Sequence, residues 1–327
     1  MKEIVNRFGL RGMTCALAAA AALVAVTLPA SAETLRVGKV VAQNFGFIPL
    51  DVGVAQGFFA KRNLQIDEFD FGGGAKQQQA IIAGNIDIAI GGGTDLAFEV
   101  KGSPATGIAS ISASPSFMGY IVGADSTAKT ADDLKGKTIG VSTQGSLTKW
   151  LVDELNRVKG WGDDGAKPIA IGGQLSTEVA ALKTHQIDAF VDAPAIGYQL
   201  QSENAGRLLI TASEYLPELQ VFIIYATHNM EQQNPDAIRR FLAGWIEALA
   251  FMRTHKAETV AIARKVTGFS QAVEEREYDL LMPHFSFDGR FDPAAIAKIA
   301  SSFTALKILD AAPDMATLYT ERYLPQP

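Results

Sequence analysis

The sequence has a single cysteine, Cys15, and only four histidines. Cys15 lies within an N-terminal stretch that reads as a secretory signal: Lys2, Arg7 and Arg11 form a basic region, Met13 to Leu28 an apolar, alanine-rich run, and Pro29-Ala30-Ser31-Ala32 a small-residue cleavage pattern. Cleavage is expected after Ala32. The mature chain then has no disulfide, no thiolate nucleophile and no cysteine metal site. His185, His228, His255 and His284 are scattered without metal-ligand spacing, so no metal is expected. There is no G-x-S-x-G, no H-E-x-x-H and no phosphate loop. Ser146-Leu147-Thr148-Lys149 matches S-x-x-K, but the S-D-N and K-T-G partners of that chemistry are absent. No catalytic residue and no cofactor is expected. Basic runs are also lacking. The mature chain would carry 26 basic against 34 acidic residues, which argues against nucleic acid or an anionic membrane as a partner. Beyond the N-terminal stretch no apolar run reaches the roughly 20 residues that a bilayer requires.

What remains is regular. Leu35–Val40, Gln65–Phe71, Ile86–Ile90 and Ala105–Ile111 read as strands. Helical segments separate them, from Pro49 through Gln56, from Ala75 to Ala83, and to Val100. Leu134 to Leu155 repeats the pattern as strand, polar loop and helix, with Leu147, Leu151, Leu155 and Val158 on one helical face and Gly160 ending it. Strands alternating with helices predict a largely parallel α/β sheet. The same grammar recurs about 100 residues on. Phe71-Gly72-Gly73 is echoed by Ile171-Gly172-Gly173, and Gly84-Asn85-Ile86-Asp87 by His185-Gln186-Ile187-Asp188.

This predicts an α/β fold of two similar lobes, with residues 1–32 as signal peptide, 33–123 and 220–327 as lobe 1, and 124–219 as lobe 2. The chain would cross twice, near Tyr120–Ala124 and near Tyr215–Phe222, which makes a hinge. Gln220–Thr227 is a further strand, and helices opened by Asn234-Pro235, Ser270 and Asp292-Pro293 are expected to pack back on lobe 1.

In open parallel sheets a ligand sits outside the carboxyl ends of the strands. The loops there are Gln43–Gly46, Gly72–Lys76, Gly91–Asp95, Ser112–Ser116, Ser142–Ser146, Gly172–Leu175 and Asp192–Pro194, rich in glycine, hydroxyls and amides. From them the candidate substrate-binding residues are Asn44, Phe45, Gly73, Lys76, Gly93, Thr94, Ser116, Gln144, Gly145, Ser146, Gln174 and Asp192. Ser146 either caps its helix or joins other groups at that helix end in holding an anion. Lys76 either pairs with a ligand anion or is solvated. Asp95 and Asp192 either cap their own helices or receive a ligand amine. Phe45, Phe117 and Trp150 line a pocket or fill the core.

The chain resembles the periplasmic substrate-binding components of ABC importers for nitrate, sulfonates and taurine, which share their fold with thiamine-pyrimidine-precursor binding proteins. The resemblance lies in Leu35-Arg36-Val37-Gly38, Pro49, Ala55-Gln56-Gly57-Phe58-Phe59, Ala83-Gly84-Asn85-Ile86-Asp87, Asp133-Leu134-Lys135-Gly136-Lys137, Ile187-Asp188-Ala189 and Asp192-Ala193-Pro194. It implies a type II periplasmic-binding-protein architecture and a monomeric periplasmic receptor. Such a receptor binds a small organic or inorganic anion (sulfonate, taurine, nitrate or carboxylate) between its lobes. It implies as partners that ligand, an inner-membrane ABC permease and its cytoplasmic ATPase. Asp192-Ala193-Pro194 stands where many members have Trp-Asp-Pro, and Gly91-Gly92-Gly93 replaces bulkier residues; both alter the cleft. A receptor for a pyrimidine precursor or other neutral or cationic heterocycle is the alternative within the fold. A pyrimidine-synthase-like enzyme is the alternative in another class, disfavoured by the missing cysteines.

Overall fold

The computed structural model describes residues 32–305 and 307–326; the expected signal peptide, up to Ser31, lies outside them. The chain opens with β1 (Glu33–Lys39), α1 (Ile48–Ala55), β2 (Leu64–Asp70), α2 (Gly74–Ile82), β3 (Ile88–Gly92), α3 (Leu96–Val100) and β4 (Ala105–Ser112). Next come β5 (Gly119–Gly123), β6 (Thr138–Val141), α4 (Leu147–Lys159), β7 (Lys167–Ala170), α5 (Leu175–Lys183), β8 (Ala189–Asp192), α6 (Pro194–Ser202) and β9 (Gly206–Thr211). The last part holds β10 (Phe222–Thr227), α7 (His228–Gln233), α8 (Pro235–Thr254), α9 (Lys256–Thr267), α10 (Gln271–Leu281) and α11 (Pro293–Ala305).

Two five-stranded sheets result, ordered β2-β1-β3-β10-β4 and β7-β6-β8-β5-β9. The orders are the same, position for position, so the repeat read in the sequence is a repeat of architecture. Its markers coincide. Asp87 and Asp188 each accept a backbone N–H from the strand beside them, from Arg36 at 2.9 Å and from Thr138 at 2.8 Å.

Each sheet is mixed rather than wholly parallel. β10 runs antiparallel between β3 and β4, and β5 antiparallel between β8 and β9. The second sheet is thus built from one continuous stretch, and β10 completes the first after it. The first crossing accordingly falls at 113–118, earlier than Tyr120–Ala124, because Gly119–Gly123 pairs in the second sheet. The second crossing spans 212–221, where the sequence placed it. Both interior strands are buried along their length, as strands covered on both faces require.

Local chemistry sets the helix ends. Ser146, Asn234 and Ser270 cap α4, α8 and α10 through their side chains. Gly160 closes α4 at φ 64°, a left-handed position that glycine takes without strain. α8 and α9 pack on α1 of the first sheet, as expected. α10 reaches further and packs along α6 of the second, and α11 touches α4, with Lys298 3.2 Å from Glu154. A second apolar core under the second sheet takes in Phe269 and Val273 from the start of α10. Among the described residues no helix is long and apolar enough to cross a membrane.

Candidate functional site

The carboxyl ends of β1, β2 and β8 and the loop after β7 converge on a cavity of about 340 Å³. Val41, Ala42, Gln43, Asp70, Phe71 and Gly72 come from the first sheet, and Gly173, Gln174, Leu175, Asp192 and Ile196 from the second. The walls nearly meet: a Cβ on Gly72 would lie 2.8 Å from the Gln174 amide nitrogen. Gly72 has φ 64°, so glycine is needed there for backbone reasons, and its lack of a side chain leaves room for Gln174.

Two helices open beside this cavity without side-chain caps. Gly73 (φ 142°) precedes α2, and Gln174 precedes α5. Their first N–H groups lack intrahelical partners and carry the positive end of the helix dipole. The charged groups in the lining are of the other sign, Asp70 and Asp192; neither lysine nor arginine lines it among the described residues. Lys39, buried at the end of β1, is engaged by Asp51 at 3.3 Å and by Glu68. Burial still pushes Asp51 up to about 6, against the pull of Lys39. Burial also pushes Asp70 up.

Behind Asp192 the acids continue. Its Oδ1 accepts the Ala193 N–H at 2.7 Å, and the Glu178 carboxyl of α5 lies beside it. Burial, with the neighbouring Asp192 charge adding to it, pushes Glu178 up to about 10. Asp192 is pushed up as well, again by burial.

The expected site residues divide. Gln174 and Asp192 line the cavity, and Gly73 stands at its rim beside Gly72. Most of the others have structural work in the described chain. Asn44 is buried and caps the turn after β1 through the Gly46 N–H at 2.8 Å. Phe45 is wholly buried, its ring 6.1 Å from those of Tyr278 and Phe285, so it is core and not pocket wall. Phe117 and Trp150 are buried likewise. Gly93 faces β10's approach: a Cβ there would sit 1.9 Å from the Gln220 carbonyl oxygen, so the residue serves close packing. Thr94 and Ser116 are buried, the latter bonded to Ser114. Ser146 is a helix cap, accepting from Lys149 N–H at 3.2 Å and donating to the Thr143 carbonyl at 2.7 Å. Gln144 and Gly145 are exposed, and Lys76 is exposed at the start of α2; none of the three lines the cavity.

Asp95 is a buried cap. It is 6 % exposed, accepts the Gly92 N–H at 3.1 Å, and burial pushes its carboxyl up to about 7. Asp70, Gln43 and Glu178 are the polar groups of the site that the loop reading did not single out. Gln43 was within a strand-end loop, Asp70 precedes one, and Glu178 lies a turn into its helix with no sequence signal.

A sequence model described as NMT1/THI5-like matches residues 44–259, about two thirds of the chain. The chain belongs to the NMT1/THI5-like family. No curated protein matches its sequence. Among solved structures, the alkanesulfonate-binding protein of Xanthomonas axonopodis pv. citri, bound to MOPS, superposes with a TM-score of 0.75 at 20 % identity, over 89 % of this chain and 99 % of that one. The periplasmic aliphatic sulphonate binding protein of Escherichia coli gives 0.73 at 19 %, over 88 % and 92 %. The desulfurization enzyme DSZB gives 0.66 at 15 %, over 89 % and 97 %. The architecture of this NMT1/THI5-like chain is therefore the periplasmic-binding-protein fold, which serves binding proteins and at least one enzyme.

Proposed function

We propose that the protein is a periplasmic solute receptor, exported by its N-terminal signal, that holds a small ligand between its two sheets and delivers it to an ABC permease driven by a cytoplasmic ATPase. The observation that carries this is the cavity itself: strand-end loops of both sheets build it, and their side chains reach across it. It acts as a monomer that closes on its ligand about the two crossings. Catalysis is not part of the reading, because the mature chain offers no cysteine and none of its four histidines lines the cavity.

The uncapped ends of α2 and α5 suit the acceptor oxygens of a sulfonate or carboxylate. Asp70 and Asp192 favour a second reading of the ligand, as one that also presents an amine or another donor group. A bare anion such as nitrate within about 4 Å of one carboxylate would meet repulsion of roughly 4 kcal/mol at an effective dielectric constant near 20, with no lining cation to offset it. A thermal-shift panel on residues 33–327 tests this with taurine, ethanesulfonate, nitrate and aminopyrimidines. Stabilisation by a panel member that is lost in Gln174→Ala supports the cavity as the site. A stabilising ligand whose effect survives both Gln174→Ala and Asp192→Ala would move the site elsewhere.

A further inference from the structure

Two carboxyls of α10, Glu274 and Glu277, lie where it packs against α6, next to a pair from the second sheet's half. Glu178 comes from α5 and Asp192 from the end of β8, both of the second sheet's half. Glu274 and Glu277 come from α10, which follows the first sheet's last strand. Glu178, Glu274 and Glu277 are 1 %, 0 % and 1 % exposed, and each has a carboxyl oxygen without a hydrogen-bond partner among the described residues. Glu277 lies toward the start of α6 at Ala195, near Glu274 and Asp192.

Few cations answer them. Arg264 on α9 faces Glu274. Arg276, on α10, instead lies over the Tyr198 ring of α6 at 3.8 Å and donates to Gln201 at 3.0 Å. Arg207 of β9 is taken by the Ser126 and Ala128 carbonyls. His284, in the turn after α10, is pushed down by its burial. The segments around Phe45 and Phe117 that also touch α10 bring no titratable group. Four buried acids facing one arginine cannot all be ionised, and a buried carboxyl without a partner takes a proton instead. Burial pushes Glu178 up to about 10 and Glu277 well above its ordinary range.

The cluster is wired to the cavity from both sides. Asp192 lines it directly. Gln43, on the opposite wall, donates to the Thr267 carbonyl at 3.1 Å, and the Thr267 hydroxyl donates to Glu274.

We propose that the contact between α10 and α6 is a proton-linked latch: Glu277 takes up a proton when the contact seats and releases it when it opens, so that closure of the cavity is coupled to pH. This rests on the receptor reading for its purpose, but not for its test. The direction follows from linkage. The seated form binds more protons, so it is favoured below the ordinary glutamate value near 4.3 and loses ground as pH rises toward the raised values of the seated form. Each proton taken up makes closure tenfold less favourable per pH unit in that window.

The mature chain is free of cysteine, so spin labels at Lys183→Cys on α5 and Glu258→Cys on α9 report the separation of the two halves without a ligand. A shorter distance at pH 5.5 than at pH 8.0 is expected, with Glu277→Gln holding the short distance at both. A distance that does not change with pH in the otherwise unaltered chain overturns the latch. A change that persists in the variant overturns its assignment to Glu277. If the latch is confirmed while no panel solute stabilises the protein, the receptor reading alone fails; if solutes bind but the distance ignores pH, the latch alone fails.

Discussion

Asp95 gives the sharpest quantitative test of the described packing. Its carboxyl is buried beneath the start of α2: Cβ atoms built on Gly74 and Gly91 would lie 3.1 Å and 2.7 Å from its oxygens. Among the described residues no cation faces it, and it accepts the Gly92 N–H. Burial raises it from 3.8 to about 7. The folded protein therefore holds a proton that the unfolded chain gives up near 4. Stability from this group is fully present below about 4, falls as pH rises, and is flat above about 7. At 1.36 kcal/mol per pH unit, the loss between pH 5 and pH 7 is about 3 kcal/mol. Asp95→Asn removes the titration but keeps an oxygen for the Gly92 N–H. Urea unfolding of both proteins at pH 5, 6 and 7.5 isolates the effect, because the other buried acids are common to the two. The variant should gain about 3 kcal/mol on the parent across that range. A difference between them that stays constant with pH would refute the claim that an unpaired carboxyl is buried there.

Further expectations follow from the same contacts. Gly93→Ala places a methyl against the Gln220 carbonyl and should cost at least about 3 kcal/mol, since backbone must move. Gly145→Ala, with open space around it, should stay within about 0.5 kcal/mol; equal losses in the two would show that Gly93 is not a packing residue. Phe45→Ala should cost about 3–5 kcal/mol by urea unfolding, as a core ring and not a pocket wall does. Ser146→Ala should cost about 1 kcal/mol through its lost cap and leave the Kd for the ligand found in the panel unchanged; a tenfold rise in Kd would return the Ser142–Ser146 loop to the site.

Why some of this was legible in the sequence and some was not has a physical pattern. Capping is local, so Ser146, Asn234, Ser270 and Gly160 announced their helix ends through neighbours within four residues. The repeat was legible because Asp87 and Asp188 do the same backbone work at the start of matching strands. The placement of β5 in the second sheet was not: Gly119–Gly123 reads as the end of the first half, and which sheet takes it depends on partners about 65 to 95 residues away. Loop position was a poor guide to side-chain direction for the same reason. Phe45 lies in a strand-end loop, yet its ring turns toward Tyr278 and Phe285, which the sequence places more than 230 residues later. Gly91, Gly92 and Gly93 look alike as letters. Gly91 makes room for Asp95 and Gln77, and Gly93 for a backbone carbonyl, so neither is there to admit a ligand. The acids show the limit most clearly. Glu178, Asp192, Glu274 and Glu277 lie on two helices and a strand end, and of the four only Asp192 stood out in its own window. Only the seating of α10 on α6 brings Glu274 and Glu277 to the Asp192–Glu178 pair. A property that exists in the contact and in none of its parts is also one that opening the contact can switch off, which is why the cavity's walls and its proton balance are expected to move together.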